Sequence, residues 1–123
     1  RILVAEDNSI NQIVLDEMLR GEGAELVMAA NGAEAVRAVT TAEAKFDAVL
    51  MDVQMPEMNG YEATQAVRKK LTEPFNKVPI MAMTANASKE EVDRCLLSGM
   101  DSYISKPFMP SDLLKKVAAL VAA

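Results

Sequence analysis

Short apolar runs that stop at polar or charged residues alternate with stretches in which apolar residues recur every three or four positions. Residues 2–5, ILVA, are the first such run and end in the adjacent acids Glu6 and Asp7, which predicts a buried strand. Ser9 and Gln12 then have the spacing of a capping box. Ile10, Ile13, Val14, Leu15, Met18 and Leu19 form a helical stripe up to Gly21, so the first helix is predicted from about Ser9 to Arg20. Residues 24–28, AELVM, predict a weaker second strand, after which Asn31 stands three places before Glu34 as a helix start. Val36 and Val39 make that helix's inward side, and its end between Thr40 and Lys45 has no clear breaker.

The run AVLMDVQMP passes from four apolar residues into Asp52 and stops at a proline, which predicts a third strand over residues 47–51 with Asp52 at its carboxyl end. Asn59 and Glu62 cap the next helix, whose Ala63, Ala66 and Val67 face inward. The stretch LTEPFNKVP, with Phe75 in it, has two prolines and no periodicity and is expected to be a surface loop. Strand four is predicted over Ile80 to Met83, ending at Thr84. A Ser88 and Glu91 start follows, with Val92, Cys95, Leu96 and Met100 as the stripe and Gly99 as the stop. Residues 102–105 run into Lys106 and Pro107 as strand five. Pro110 opens a last helix, whose Leu113, Leu114, Val117, Leu120 and Val121 face the sheet.

Five short strands alternating with five helices, without a long linker or a repeat, require a parallel sheet with right-handed crossovers and helices on both faces. In a chain this short the expected architecture is the flavodoxin-like doubly wound (βα)5 fold in strand order 2-1-3-4-5, with its switch point between strands one and three. Ligand sites in such sheets lie at the carboxyl ends of the strands.

Composition narrows the class. The chain has 123 residues, half of them apolar, enough for a single domain spanning 1–123 with its own core. It lacks an initiator Met and begins close to its first strand, and so is expected to be a piece excised from a longer chain. Cys95 is the only cysteine, which rules out a disulfide framework, suits a reducing compartment and suggests a buried small hydrophobe. No apolar run approaches a membrane span. A cytoplasmic location is expected, with any membrane anchor belonging to another domain of the parent protein. The formal charge of −5 argues against direct contact with nucleic acid by this segment. With no histidine present, chemistry must use carboxylates, lysine and hydroxyls.

Under the 2-1-3-4-5 order, Glu6 and Asp7 become neighbours of Asp52. Three like charges in one crevice disfavour joint ionisation, and a hard divalent cation relieves that cost. Magnesium suits such a site because it takes oxygen ligands, keeps several waters and uses one or two carboxylates with a phosphate oxygen. Asp7 and Asp52 are expected as direct ligands and Glu6 as a ligand through water. Strand four adds the hydroxyl of Thr84 and strand five the ammonium of Lys106. A phosphoryl group on Asp52 would meet metal, hydroxyl and ammonium together, the arrangement phosphoryl transfer needs.

The acid pair in VAEDN, the acceptor in MDVQMPEMNGYEA, the Thr in MTANA and the Lys in SKPF resemble the receiver domain of two-component response regulators over essentially the whole chain. The resemblance implies that Asp52 is the phosphoacceptor, that Asp7, Asp52 and the backbone carbonyl of Gln54 ligate magnesium, and that Glu6 belongs to the outer shell. It further implies that Thr84 and Lys106 bind the phosphoryl oxygens, that Ala85 and Gln54 border the phosphoryl group, and that Tyr103 follows Thr84 inward as the switch. A cis bond at Lys106–Pro107 is also a family feature. The words AEDNSINQ, MDVQMPEMNGYEAT and MTANA are most similar to receivers of hybrid sensor histidine kinases. Such receivers take phosphate from a kinase histidine, in the same chain or in trans, and commonly pass it to a histidine phosphotransfer domain. An isolated receiver is a phosphoacceptor that assists its own phosphorylation and dephosphorylation. A partner helix would need an apolar patch beside Asp52, for which Ile10, Met55, Pro56 and Phe108 are the candidates.

Two other readings compete. A magnesium phosphohydrolase of the haloacid dehalogenase type also phosphorylates an Asp at a strand end, but needs a second acid two places on, where this chain has Gln54. A flavin carrier on the same fold would want a hydroxyl-rich phosphate loop after strand one and aromatic walls, whereas this chain has Glu6 and Asp7 there and no tryptophan.

Overall fold

A computed structural model of the chain describes residues 1–41, 46–55, 58–70, 77–85, 88–106 and 109–122. In chain order the elements are β1 (Ile2–Ala5), α1 (Ser9–Arg20), β2 (Leu26–Ala29), α2 (Gly32–Thr41), β3 (Ala48–Asp52), α3 (Gly60–Lys70), β4 (Ile80–Thr84), α4 (Lys89–Ser98), β5 (Ser102–Ser105) and α5 (Pro110–Ala122). The strands form one parallel sheet in the order β2-β1-β3-β4-β5, the expected flavodoxin-like arrangement.

The strand pleat sorts the core into two layers, because successive side chains leave a strand on opposite faces. Ile2, Val4, Ala48, Leu50, Met81, Met83 and Ile104 pack with Leu15 and Leu19 of α1 and Leu113, Val117 and Leu120 of α5. Leu3, Ala5, Val49, Met51, Ile80 and Ala82 pack on the other face with Ala35 and Val39 of α2, Ala63 and Val67 of α3 and Cys95 of α4. The three central strands β1, β3 and β4 are buried throughout, as unbroken apolar runs in a two-sided sheet must be.

Helix starts follow the expected residues with some shifts. Asn59 and Glu62 form a reciprocal box, the Glu62 N–H donating to Asn59 Oδ1 at 2.9 Å and the Asn59 N–H to Glu62 Oε1 at 3.3 Å. For α1 the cap is Asn8 instead of Ser9. Its extended backbone and longer side chain let Oδ1 accept from both the Ile10 and Asn11 N–H groups. Gln12, the expected partner of Ser9, donates instead to the Glu6 carbonyl. Strand β2 starts two residues late because Gly23, at φ 86°, and Ala24 are used to turn the chain out of α1. Gly99, at φ 109°, ends α4 in the left-handed conformation that favours glycine.

Five expected inward positions face outward. Of the α1 stripe, Leu15 and Leu19 are buried and Met18 half-buried, whereas Ile10, Ile13 and Val14 are 69%, 59% and 39% exposed. One helix shows the sheet only a limited arc, and six apolar residues overfill it. Leu96 is exposed because Cys95 and Ser98 occupy the sheet-facing arc of α4, and Val121 is exposed near the end of α5. Pro56, Phe75, Pro107 and Phe108 lie outside the described residues, and with them the loop around Phe75 and the Lys106–Pro107 bond.

Candidate functional site

The pleat also builds the site. Glu6 continues the alternation of Ile2 and Val4, Asp52 that of Ala48 and Leu50, and Lys106 that of Ile104, so three strand ends aim one functional group each toward the same face. The register that pairs Ala5 with Met51 brings Glu6 beside Asp52. Carboxylate oxygens of Glu6, Asp7 and Asp52 all lie within 4.8 Å of one another.

Lys106 crosses this cluster. Its N–H donates to the Thr84 carbonyl at 2.7 Å, prolonging the β4–β5 pairing, and its Nζ donates to Glu6 Oε2 and Asp52 Oδ2, each at 2.9 Å. Glu6 is 1% exposed and its other oxygen accepts from the Asn8 N–H and Asn11 Nδ2. Asp52 is 5% exposed, and its Oδ1 accepts the Gln54 N–H at 3.1 Å. Asp7 is exposed. The two adjacent acids thus divide: Glu6 is the buried, fully bonded base of the cluster, and Asp7 its solvent-facing member.

Burial pushes the Asp52 carboxyl above the ordinary aspartate range. The Lys106 and Gln54 hydrogen bonds pull it down without cancelling burial, and the charge of Glu6 adds to the rise. Burial alone would lower Lys106, yet its hydrogen bonds to Glu6 and Asp52 and the charges of both carboxylates outweigh that and raise it above the ordinary lysine value.

The remaining expected residues lie on β4, β5 and α1 and just after β3 and β4. Thr84 is buried at the end of β4, one residue beyond the Met83 that pairs with Asp52, and Ala85 after it is exposed. Tyr103 is half-buried on β5, where the Lys116 ammonium lies 4.7 Å from its ring centroid and donates to its carbonyl at 2.7 Å. Gln54 is exposed, and Met55 is half-buried against the layer formed with α2, α3 and α4. Ile10 lies on the exposed flank of α1.

The sequence reading missed a second group at the site's edge. A cavity of about 560 Å3 is lined by Asp7, Val53, Gln54, Met55, Asn59, Tyr61, Glu91 and Arg94. The Tyr61 hydroxyl donates to Glu91 Oε1, the Arg94 guanidinium carbon stands 4.2 Å over the Tyr61 ring, and Cys95 Sγ lies 3.9 Å from the hydroxyl. One signal was available: a tyrosine on an inward helix position needs a partner for its hydroxyl.

The donor set suits a hard divalent cation. Three clustered carboxylates against one ammonium leave a surplus of two negative charges, and all the donors are oxygens.

Comparison with known proteins agrees with this chemistry. The chain belongs to the response regulator receiver domain family, which matches residues 2–118, and is thus a receiver domain of two-component phosphorelays. It is 42% identical to the sensor protein GacS of Pseudomonas syringae pv. syringae, covering 95% of this chain and 13% of that protein. It is also 39% identical to probable histidine kinase 5 of Oryza sativa subsp. japonica, covering 99% of this chain and 12% of that protein. The chain therefore spans only a small part of the length of these curated relatives. The solved receiver domain of sensor histidine kinase PA1611 from Pseudomonas aeruginosa PAO1, with magnesium coordinated in its active-site cleft, superposes with a TM-score of 0.89 at 38% identity, covering 99% of this chain and 97% of that one. The receiver domain of Saccharomyces cerevisiae Ssk1, solved with the histidine phosphotransfer protein Ypd1, gives 0.87 at 32% identity over 98% of this chain and 88% of that one. The phosphohydrolase alternative has no support, since the family match is to receivers and Gln54 offers Asp52 a backbone N–H instead of a second acid.

Proposed function

We propose that Asp52 is the phosphoacceptor of a receiver that belongs to a hybrid sensor histidine kinase. The observation that supports this reading is Lys106 Nζ at 2.9 Å from both Asp52 and Glu6, since a cation there would offset the charge that develops when Asp52 becomes an acyl phosphate. An Asp52 oxygen attacks phosphorus, the bond to the donor histidine nitrogen breaks, and the imidazole leaves with that electron pair. The Thr84 hydroxyl and the Lys106 ammonium then receive the phosphoryl oxygens. Asp7, Asp52 and the Gln54 carbonyl would hold magnesium, with Glu6 acting behind them through water and Lys106; when bound, the ion supplies the charge neutralisation that the surplus carboxylates call for. Tyr103 follows Thr84 as the switch.

The donor is a kinase histidine in the same chain or in trans, and the onward acceptor is a histidine phosphotransfer domain. The sensor kinases among the relatives and the Ypd1 complex among the similar structures support this. Ile10, with its exposed neighbours Ile13 and Val14, offers such a partner helix an apolar strip on α1, and Met55, half-buried, lines the cavity beside Asp7. The expected location is cytoplasmic. No helix among the described residues is long and apolar enough to cross a membrane.

Incubation with acetyl phosphate and magnesium, followed by intact mass measurement, tests the assignment. One acid-stable, alkali-labile phosphoryl adduct is expected on the wild type and none on Asp52→Asn. An unchanged wild-type mass would sink the reading.

A further inference from the structure

Helix α4 is poorly seated. Its buried residues are Cys95 and Ser98, while Leu96 and Leu97 are 51% and 87% exposed. With so little apolar surface holding it to the sheet, polar ties from α3 carry much of its placement. At its carboxyl end Arg68 Nε donates to the Gly99 carbonyl at 3.0 Å. At its amino end the tie is the hydrogen bond from Tyr61 to Glu91. Between them Thr64 is completely buried, and among the described residues its hydroxyl has no hydrogen-bond partner, although its methyl sits beside Gly99. This seating of α3 on α4 therefore leaves a buried polar group unsatisfied, which weakens its hold over a displaced one.

The two ends of the Tyr61–Glu91 bond refer to different strands. Tyr61 is fixed to the end of β3: Gly60 donates to the Val53 carbonyl at 3.2 Å, a Cβ on Gly60 would press on the Asp52 carbonyl, and the Asn59–Glu62 box sets the first turn. Glu91 belongs to α4, the helix that follows β4 in the chain. It lies in the first turn of α4, where its N–H bonds the Ser88 cap four residues beyond Thr84. The bond thus joins the helix that follows the Asp52 strand to the helix that follows the Thr84 strand, at the cavity that Asp7 and Gln54 also line.

We propose that Tyr61 is a positioning residue: its hydrogen bond to Glu91 latches the first turn of α4 in the arrangement seen with unmodified Asp52, and the latch opens when the Thr84 end of β4 closes on a phosphoryl group. This rests on the assignment of Asp52 as acceptor. The latched state competes with the loaded state, so weakening the latch tightens binding of a phosphoryl mimic.

Calorimetric titration of the magnesium-saturated protein with beryllofluoride tests this. Tyr61→Phe keeps the ring under Arg94 and removes only the hydroxyl, and Glu91→Ala removes the acceptor. Each is expected to bind beryllofluoride about fivefold more tightly than wild type. The double variant should gain no more than either single one. Glu91→Gln, whose amide oxygen still accepts from the hydroxyl, should stay within about twofold of wild type. Unchanged or weaker binding by Tyr61→Phe overturns the latch, as do effects that multiply in the double variant or a Glu91→Gln that tracks Glu91→Ala. A purely structural role would lower the urea midpoint and leave the affinity alone, which also overturns it. A wild type that binds no beryllofluoride overturns the acceptor assignment and the latch with it.

Discussion

Lys106 Nζ stands 2.9 Å from Oδ2 of Asp52 and the same distance from Oε2 of Glu6, so one ammonium is shared by two buried carboxylates at the ends of neighbouring strands. Lys106→Met should leave both acids without their cation. A loss of about 3 kcal/mol is expected in urea unfolding without metal, the lower end for a buried pair stripped of one partner. Magnesium should restore part of the loss, because a ligand that binds only the folded state stabilises it. A Lys106→Met midpoint equal to wild type would mean that the three groups are not in contact in solution. Because Lys106 is raised, its contribution is present at neutral pH and declines only as pH rises through its folded-state value.

Asp52 has the opposite consequence near neutrality. Burial holds its carboxyl above the ordinary range, so the folded protein binds that proton more tightly than the unfolded chain, and ionised Asp52 subtracts from stability. Without metal, Asp52→Asn should be more stable than wild type at pH 7. The difference should shrink as pH falls through the folded-state value and vanish below the ordinary aspartate value. Urea midpoints across that range check this; a mutant weaker at pH 7 would contradict the crowding of the three acids.

A methyl group on Gly60 would press on the Asp52 carbonyl and lie 2.9 Å from the Val53 Cα, both backbone atoms that cannot step aside cheaply. Gly60→Ala should therefore destabilise by about 1–3 kcal/mol, the range for overpacking a tight site. It should also slow adduct formation from acetyl phosphate, because the atoms displaced include those of Asp52, the proposed acceptor. Normal stability with normal phosphorylation would show that α3 can recede from β3 without effect.

Much of the fold was legible because its signals are local. Apolar runs ending in Glu6, Asp52, Thr84 and Lys106 mark strand ends, and parallel pairing in the 2-1-3-4-5 order brings those ends together. The different fates of Glu6 and Asp7 were less legible. As adjacent acids they look alike in sequence, and only the pleat decides that one is buried under Lys106 and the other exposed. The α1 stripe predicts more burial than the sheet provides because apolar spacing does not say which flank the sheet covers, and the exposed flank of Ile10, Ile13 and Val14 is where a partner could bind. Tyr61 and Glu91 are 30 residues apart, on helices whose contact depends on packing alone. The Ser88–Glu91 spacing predicts a helix start, which holds for the Ser88 cap, but the Glu91 carboxylate is taken by Tyr61.

Arg68 gives α4 a mechanical character. Its guanidinium also reaches the Val78 carbonyl at 2.7 Å and Asp101 Oδ2 at 2.9 Å, riveting the carboxyl end of α4 to the edge of the sheet remote from the acids. A helix pinned at that end can swing but cannot slide. Its 10 residues make an arm about 15 Å long, so a rotation of about 10° carries its amino end roughly 2.6 Å, nearly the length of a hydrogen bond. A small displacement beside Thr84 is thereby matched to the making or breaking of one polar contact, and Leu97, close to the pivot, scarcely moves.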